Sequence, residues 1–190
     1  MVEIGLISIN YKNKKGITMV LEEVIYNGYL ESINNKRKGD KEEELKEIRK
    51  KILNAKKIVI ITTNTKKYGA IKEILEKIIK KNNKDENDII FEMVNIPTNF
   101  ADLTRTPAIN KCLIGVDITD GDIVIGRGRL GVPGSGSMLI IMDNKGRILT
   151  GALSPSSVIH KKDIEECVRE EITTALHRIG IEINNSNTKL

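Results

Sequence analysis

The sequence predicts an α/β fold, a mixed central sheet flanked by helices, with a helical region at its N-terminal end. Three observations lead there. Residues 57–62, Lys-Ile-Val-Ile-Ile-Thr, form a short apolar run, followed by a polar turn and then by Ile71, Ile74, Leu75, Ile78 and Ile79 at helical spacing. Such a strand is apolar on both faces, as strands covered by helices are. Residues 138–142 and 147–153, joined by Asp143-Asn-Lys-Gly146, read as an antiparallel hairpin. Two amphipathic stretches precede them, within residues 1–55. A chain of 190 residues is long enough for one domain with a sizeable core. Its expected parts are a helical region over 1–55, a nucleotide-binding core over 56–183 and a frayed tail over 184–190.

In chain order, Ile17, Val20, Leu21, Val24 and Ile25 mark a first helix, which Asn27-Gly28 is expected to weaken or end. Residues 34–40 are a loop. Residues 42–54 are a second helix, with Leu45, Ile48, Ile52 and Leu53 on its apolar face and acidic residues in its first turn, where they complement the helix dipole. Packing or dimerisation is the expected role of this region. After the strand at 57–62 come the polar turn at 63–69 and a helix ending in Lys80-Lys81; residues 89–94 form a second strand. Asp102 and Arg105 then stand at helical spacing, either as a surface ion pair worth under about 1 kcal/mol or as a catalytic pair. Asp163-x-x-Glu166 opens the last helix as a capping box. Its stripe is Ile164, Cys167, Val168, Ile172, Ala175, Leu176 and Ile179, and Gly180 stops it. Cys167 therefore reads as core, and His177, off the stripe, as exposed.

Composition narrows the partners. The formal charge of +5 is spread over helices of mixed sign, and two Phe, four Tyr and no Trp leave few platforms for stacking bases, so a nucleic-acid partner is not expected. Cys112 and Cys167 have neither metal-type spacing nor a disulfide framework, which suits a reduced cytoplasm. No apolar run approaches membrane-spanning length, and no signal peptide is read.

Residues 115–137 hold seven of the fifteen glycines, together with Arg127, Arg129, Asp117, Asp120 and Asp122. Ordering glycine is entropically expensive, and bare amides, guanidinium groups and carboxylates are the parts that hold a phosphate and its Mg²⁺. The alternative is a pair of tight turns between strands. On the ligand reading, Gly128→Val should stop turnover while sparing the fold. Gly126-Arg-Gly128-Arg-Leu-Gly131 matches G-x-G-x-x-G, but a dinucleotide site needs a helix to begin there, and the next residues are instead Val-Pro-Gly-Ser-Gly-Ser and a strand-like run. The Rossmann reading fails on that context. The basic loop at 63–69 lies between a strand and a helix N-terminus, where anions bind in α/β proteins; alternatively its Thr and Asn only cap the helix.

Two resemblances bear on function. Residues 60–74 resemble the opening strand, loop and helix of inosine-triphosphate pyrophosphatases, whose Thr/Ser-x-Asn-x-x-Lys loop holds nucleotide phosphates; Thr62, Asn64 and Lys67 match it. That family's Glu-Asp-Ser/Thr-Gly and Gly-Tyr-Asp-Pro segments are absent. Residues 101–110, 126–137 and 151–157 together are similar to the HcgB family of methanogenic archaea. This resemblance implies a guanylyltransferase of iron-guanylylpyridinol (FeGP) cofactor biosynthesis, serving [Fe]-hydrogenase. It would join the GMP part of GTP to a pyridinol hydroxyl and release pyrophosphate. It also implies an inosine-triphosphate-pyrophosphatase-like fold and a homodimer. On this reading Thr62, Thr63, Asn64, Lys66, Lys67, Gly126, Arg127, Gly128 and Arg129 bind the nucleotide. Asp102, Arg105, Asp117 and Lys67 form the catalytic set, and Asp117, Asp120 and Asp122 hold Mg²⁺. Gly131, Pro133, Gly134, Ser135, Ser137 and Ser154 shape the acceptor pocket. The competing expectations are a house-cleaning NTP pyrophosphatase and a non-catalytic nucleotide-binding protein.

Overall fold

The computed structural model of the chain describes residues 20–82, 89–97 and 101–183. Ile17 and the tail over 184–190 lie outside them. Two helices come first, α1 (Leu21–Ile33) and α2 (Glu42–Leu53). Contrary to expectation, α1 runs straight through Asn27-Gly28. A Cβ at Gly28 would stand 3.0 Å from Arg37 Nη1, and Arg37 forms a 2.6 Å ion pair with Glu44 of α2. The small residue makes room for that pair, and packing of α1 on α2 overrides a weak local preference.

The sheet has five strands in the order β2-β1-β3-β4-β5. β1 (Lys57–Ile61) pairs in parallel with β2 (Ile90–Val94) and with β3 (Ile123–Arg129). β4 (Ser137–Asp143) is antiparallel to β3, and β5 (Ile148–Ser154) is antiparallel to β4, completing the expected hairpin. Helix α3 (Thr65–Asn82) joins β1 to β2, and α4 (Pro107–Ile118) leads into β3. A single-turn α5 (Ser157–His160) and the long α6 (Ile164–His177) follow β5. Asp163 caps α6 by accepting the N–H groups of Glu165 and Glu166.

Alternation along the strands builds two cores. Ile58, Ile60, Ile123, Ile125, Leu139 and Ile141 face α3 and α6, meeting Ile71, Leu75, Val168 and Ile172 among others. Val59, Ile61 and Val124 line the opposite face, and there Ile140 and Met142 pack with Ala108 and Cys112 of α4. β1 and β3 are thus buried on both faces, which is why their sequences read as unbroken apolar runs. No helix among the described residues is long and apolar enough to cross a membrane.

The glycine-rich stretch divides in two. Gly115, Val116, Asp117 and Ile118 belong to α4, and Gly126 and Gly128 to β3, so this half is not a loop. A Cβ at Gly115 would lie 2.7 Å from Ile61 Cδ1, at Gly126 2.5 Å from Cys112 Sγ, and at Gly128 3.0 Å from Ala108 Cα. These glycines let a helix lie directly on a strand. That corrects the expectation that Gly128→Val would spare the fold. Gly134 and Gly136 do form a turn, with φ of +90° and +91°, and a Cβ at Gly136 would collide with the Ser154 carbonyl oxygen. As the motif's failed context implied, β3 is followed by an antiparallel strand and not by a helix.

Candidate functional site

The parallel strands β1 and β3 deliver their chains to one end of the sheet. Beyond β1, the Thr62 N–H donates to the Val94 carbonyl at 3.0 Å, and the Thr62 hydroxyl oxygen accepts the Asn64 N–H at 3.1 Å. Asn64 Oδ1 accepts the N–H groups of Lys66 and Lys67 at 2.9 and 3.1 Å. Asn64 is therefore the N-cap of α3, and in this structure the capping role occupies the amides that an anion would otherwise use. Thr63 and Lys66 are exposed; Lys67 is half-buried. Burial pushes the Lys67 ammonium below its ordinary value, and the positive charges of Arg127 and Lys111 push it further, while Glu171 and Asp102 partly offset them.

Arg127 comes from β3, on the face shared with Ile123 and Ile125. Its Nε donates to Glu171 Oε2 at 2.5 Å and its Nη2 to Glu171 Oε1 at 3.2 Å. The same Nη2 reaches Ser137 Oγ at 2.7 Å and Cys167 Sγ at 3.2 Å, and the Ser137 hydroxyl donates to Glu171 Oε1 at 2.6 Å. Glu171 is 1 % exposed. Burial alone would lower the Arg127 value, but hydrogen bonding and charge from Glu171 outweigh it, so the guanidinium is held firmly ionised. Nη1 makes no hydrogen bond among the described residues. The Ser137 hydroxyl, expected to border the acceptor, is hydrogen-bonded to Arg127 and Glu171 in this structure. Cys167 is core, as its stripe implied, yet it also touches Arg127 and lies 3.8 Å from His160 Nε2.

The remaining candidates separate into two groups. Asp102 lies in the exposed turn before α4, within the electrostatic reach of both Lys67 and Lys111. Arg105 is in the same turn, and its carbonyl oxygen is 3.9 Å from a Cβ placed on Gly131. No ion pair joins Asp102 to Arg105 among the described residues, so the surface-pair alternative drops away. The β3–β4 loop closes with Leu130 N–H on the Gly136 carbonyl at 3.1 Å and Gly131 N–H on Ser135 Oγ at 3.0 Å. Pro133 and Gly134 form its exposed tip, and Ser154 pairs with Ser137 across β4 and β5. Arg129, at the end of β3, is opposite Ser137 in register. By the strand topology these residues lie at the end of the sheet where β1 and β3 finish, the end that carries Lys67 and Arg127.

Asp117, Asp120 and Asp122 do not. The Asp122 carboxylate accepts the N–H groups of Lys56 and Lys57 at 2.8 and 3.0 Å, Asp120 pairs with the Lys57 ammonium, and Asp117 sits near the exposed C-terminus of α4. All three are at the amino ends of β1 and β3, opposite the lysine–arginine cluster. Asp120 and Asp122 tie the strand starts together. Among the described residues no three His, Cys, Asp or Glu side chains gather to hold a metal. Two solvent-open hollows, about 380 Å³ beside α1, α2 and Asp122 and about 420 Å³ beside residues 180–183, also lie away from the cluster.

Glu171 and Lys111 are additions that the sequence reading misses. Glu171 carries a signal, an acid one turn after Cys167 on the apolar stripe of α6, where a carboxylate needs a buried partner. Lys111 carries none, since a lysine on a helix ordinarily marks a solvated face.

The depressed Lys67 value makes a pH prediction. Folding lowers this pKa, so between the folded and unfolded values the unfolded chain binds more protons, and stability contributed by this group rises with pH. Lys67→Met should therefore be more stable than wild type near neutrality, with the gain fading as pH climbs towards ordinary lysine values. Denaturant midpoints for both proteins across that range test it; a constant or growing gain contradicts the assigned cause.

The profile of a family described as "FeGP cofactor biosynthesis protein HcgB, guanylyltransferase" matches residues 21–181. It spans every element from α1 to α6, including the Lys67, Arg127 and Glu171 cluster. The chain therefore belongs to the HcgB family, the guanylyltransferases of FeGP cofactor biosynthesis.

Proposed function

We propose that the protein transfers the guanylyl group of GTP to the hydroxyl of a pyridinol, releasing pyrophosphate. The supporting observation is the meeting of half-buried Lys67 with the braced Arg127 at the carboxyl ends of β1 and β3, in a chain of a guanylyltransferase family. The acceptor oxygen attacks the α-phosphorus, the bond to the β-phosphate oxygen breaks, and pyrophosphate leaves with the electron pair. Such transfers depend on positioning and charge stabilisation more than on covalent help from the protein. Lys67 and the free edge of Arg127 meet the phosphoryl charge as it moves to the leaving group. Asp102 is placed to take the hydroxyl proton. A pyridinol hydroxyl is already acidic, so a weak, exposed carboxylate suffices.

Mg²⁺ enters this reading with the triphosphate. It needs only one or two protein carboxylates and keeps several waters, so an ion carried on the triphosphate would need no dedicated protein cage. When bound, the ion supplies charge neutralisation on the departing pyrophosphate. The loop from Gly131 to Ser135 and the end of β5 at Ser154 border the acceptor. We further propose a cytoplasmic homodimer without nucleic-acid or membrane partners.

The test is GTP and Mg²⁺ with and without a hydroxypyridine. The acceptor should raise pyrophosphate release at least about a hundredfold, some 2.7 kcal/mol in barrier, and the product should be a pyridinol–GMP ester. Rapid acceptor-independent release of GMP and pyrophosphate would make the protein a hydrolase instead.

A further inference from the structure

We infer that Lys111 of α4 is a second phosphate-holding cation, so that an oligophosphate chain is clamped between Lys67 on one face of the sheet and Lys111 on the other. This rests on reading the site as one for a nucleoside triphosphate, and it adds a residue and a binding geometry to that reading.

The placement of Lys111 follows from the glycines. A side chain at Gly126 would run into Cys112, and one at Gly128 into Ala108. The absence of both lets α4 settle on the carboxyl-terminal half of β3, and Lys111 adjoins Cys112 in that helix. Lys67 arrives from the opposite face, where α3 packs on the Ile58, Ile60 and Ile125 side. Both lysines thus stand at the end of the sheet where β1 and β3 finish, and the charge of Lys111 adds to burial and Arg127 in depressing Lys67.

Both lysines are half-buried, and neither ammonium group makes a hydrogen bond or ion pair among the described residues. Elsewhere in this chain, partly buried lysines find partners: Lys57 pairs with Glu92 and Asp120, Lys50 with Glu47, Lys51 reaches Asn144, and Lys72 lies over the Phe91 ring. The carboxylate in the field of both Lys67 and Lys111 is exposed Asp102, which contacts neither. Two partly dehydrated like charges in one another's field oppose folding. An anion between them reverses the sign of that interaction, and an anion with charge on successive phosphates can meet both at once. Burial also lowers the Lys111 value, as it does for Lys67, in keeping with a site that awaits its counter-charge.

Calorimetric titration of inorganic triphosphate into the full chain tests this without requiring turnover. Lys111→Met keeps the apolar stem and removes the charge. It should weaken binding at least tenfold and flatten its salt dependence, while the denaturant midpoint stays at or above that of wild type. Lys111→Arg should retain most of the affinity. Failure of the wild-type protein to bind inorganic triphosphate overturns the clamp, as does wild-type affinity in Lys111→Met, or a loss of affinity that only parallels a loss of stability. The catalytic reading fails separately: tight, Lys111-dependent binding without guanylyl transfer leaves the clamp and removes the transferase, and normal transfer with Lys111-independent binding does the reverse.

Discussion

Glu171→Ala should destabilise the protein by about 3–5 kcal/mol, the usual consequence of removing one partner from a buried ion pair. The guanidinium left behind cannot retreat to water. Arg127 rises from the middle of the sheet, its side chain is 13 % exposed, and Ser137 loses the same carboxylate. Denaturant unfolding of the full chain at neutral pH measures the effect, and a loss below about 1 kcal/mol would show that the pair is solvated and unimportant. A second variant separates stability from chemistry. Replacing both partners by apolar residues of similar volume, Arg127→Met with Glu171→Leu, should return stability close to wild type, because neither charge remains to be desolvated. It should not return guanylyl transfer, because the Nη1 edge of Arg127 is gone. Transfer at the wild-type rate in the double variant would confine Arg127 to a structural role.

Gly128→Val should cost about 3 kcal/mol or more, at the upper end of overpacking effects, because the obstruction is backbone. The first added carbon alone would lie 3.0 Å from Ala108 Cα and 3.1 Å from Ala108 N, and no rotamer of valine moves it away. Helix α4 would have to lift from β3, exposing Cys112 and Ile140. The denaturant midpoint should fall steeply, and residual activity should track the folded fraction. An unchanged midpoint would mean that α4 does not approach β3 so closely.

The sheet was legible because the strands announce themselves. Ile58 to Ile61 and Ile123 to Ile125 are apolar throughout, and the turn at Asp143 carries its own signature, with the buried carboxylate gathering the N–H groups of Lys145 and Arg147 at 3.0 Å each. The glycine-rich stretch was the harder case. A glycine that permits a turn and a glycine that admits a neighbouring helix look identical in a sequence. Only the partner, Ala108 or Cys112, tells them apart. The carboxylates misled for a related reason. Asp117, Asp120 and Asp122 are close to Arg127 along the chain, but β3 carries Arg127 the length of the sheet away from them. Glu171 is 44 positions from Arg127 and meets it directly. Lys67 could be placed from the strand–loop–helix pattern, whereas Lys111 depends on how far α4 sinks onto β3, a tertiary fact with no local mark.

The way the strands are joined has a kinetic corollary. β3 pairs with β4 and β4 with β5, each with the next strand in the chain, so these contacts form across short intervals. β1 meets β3 only after a long segment has been folded back: Lys57 and the Asp122 that holds its N–H are 65 positions apart. The chain entropy of that closure must be overcome before any pairing repays it. Lys67 travels with the early arm of the chain, whereas Arg127, Ser137 and Glu171 travel with the later one. As the polypeptide leaves the ribosome, β1 and α3 emerge first and wait, with one strand edge open, for the partner that completes them. The facing cations come into being only when that non-local closure brings the two arms of the chain together.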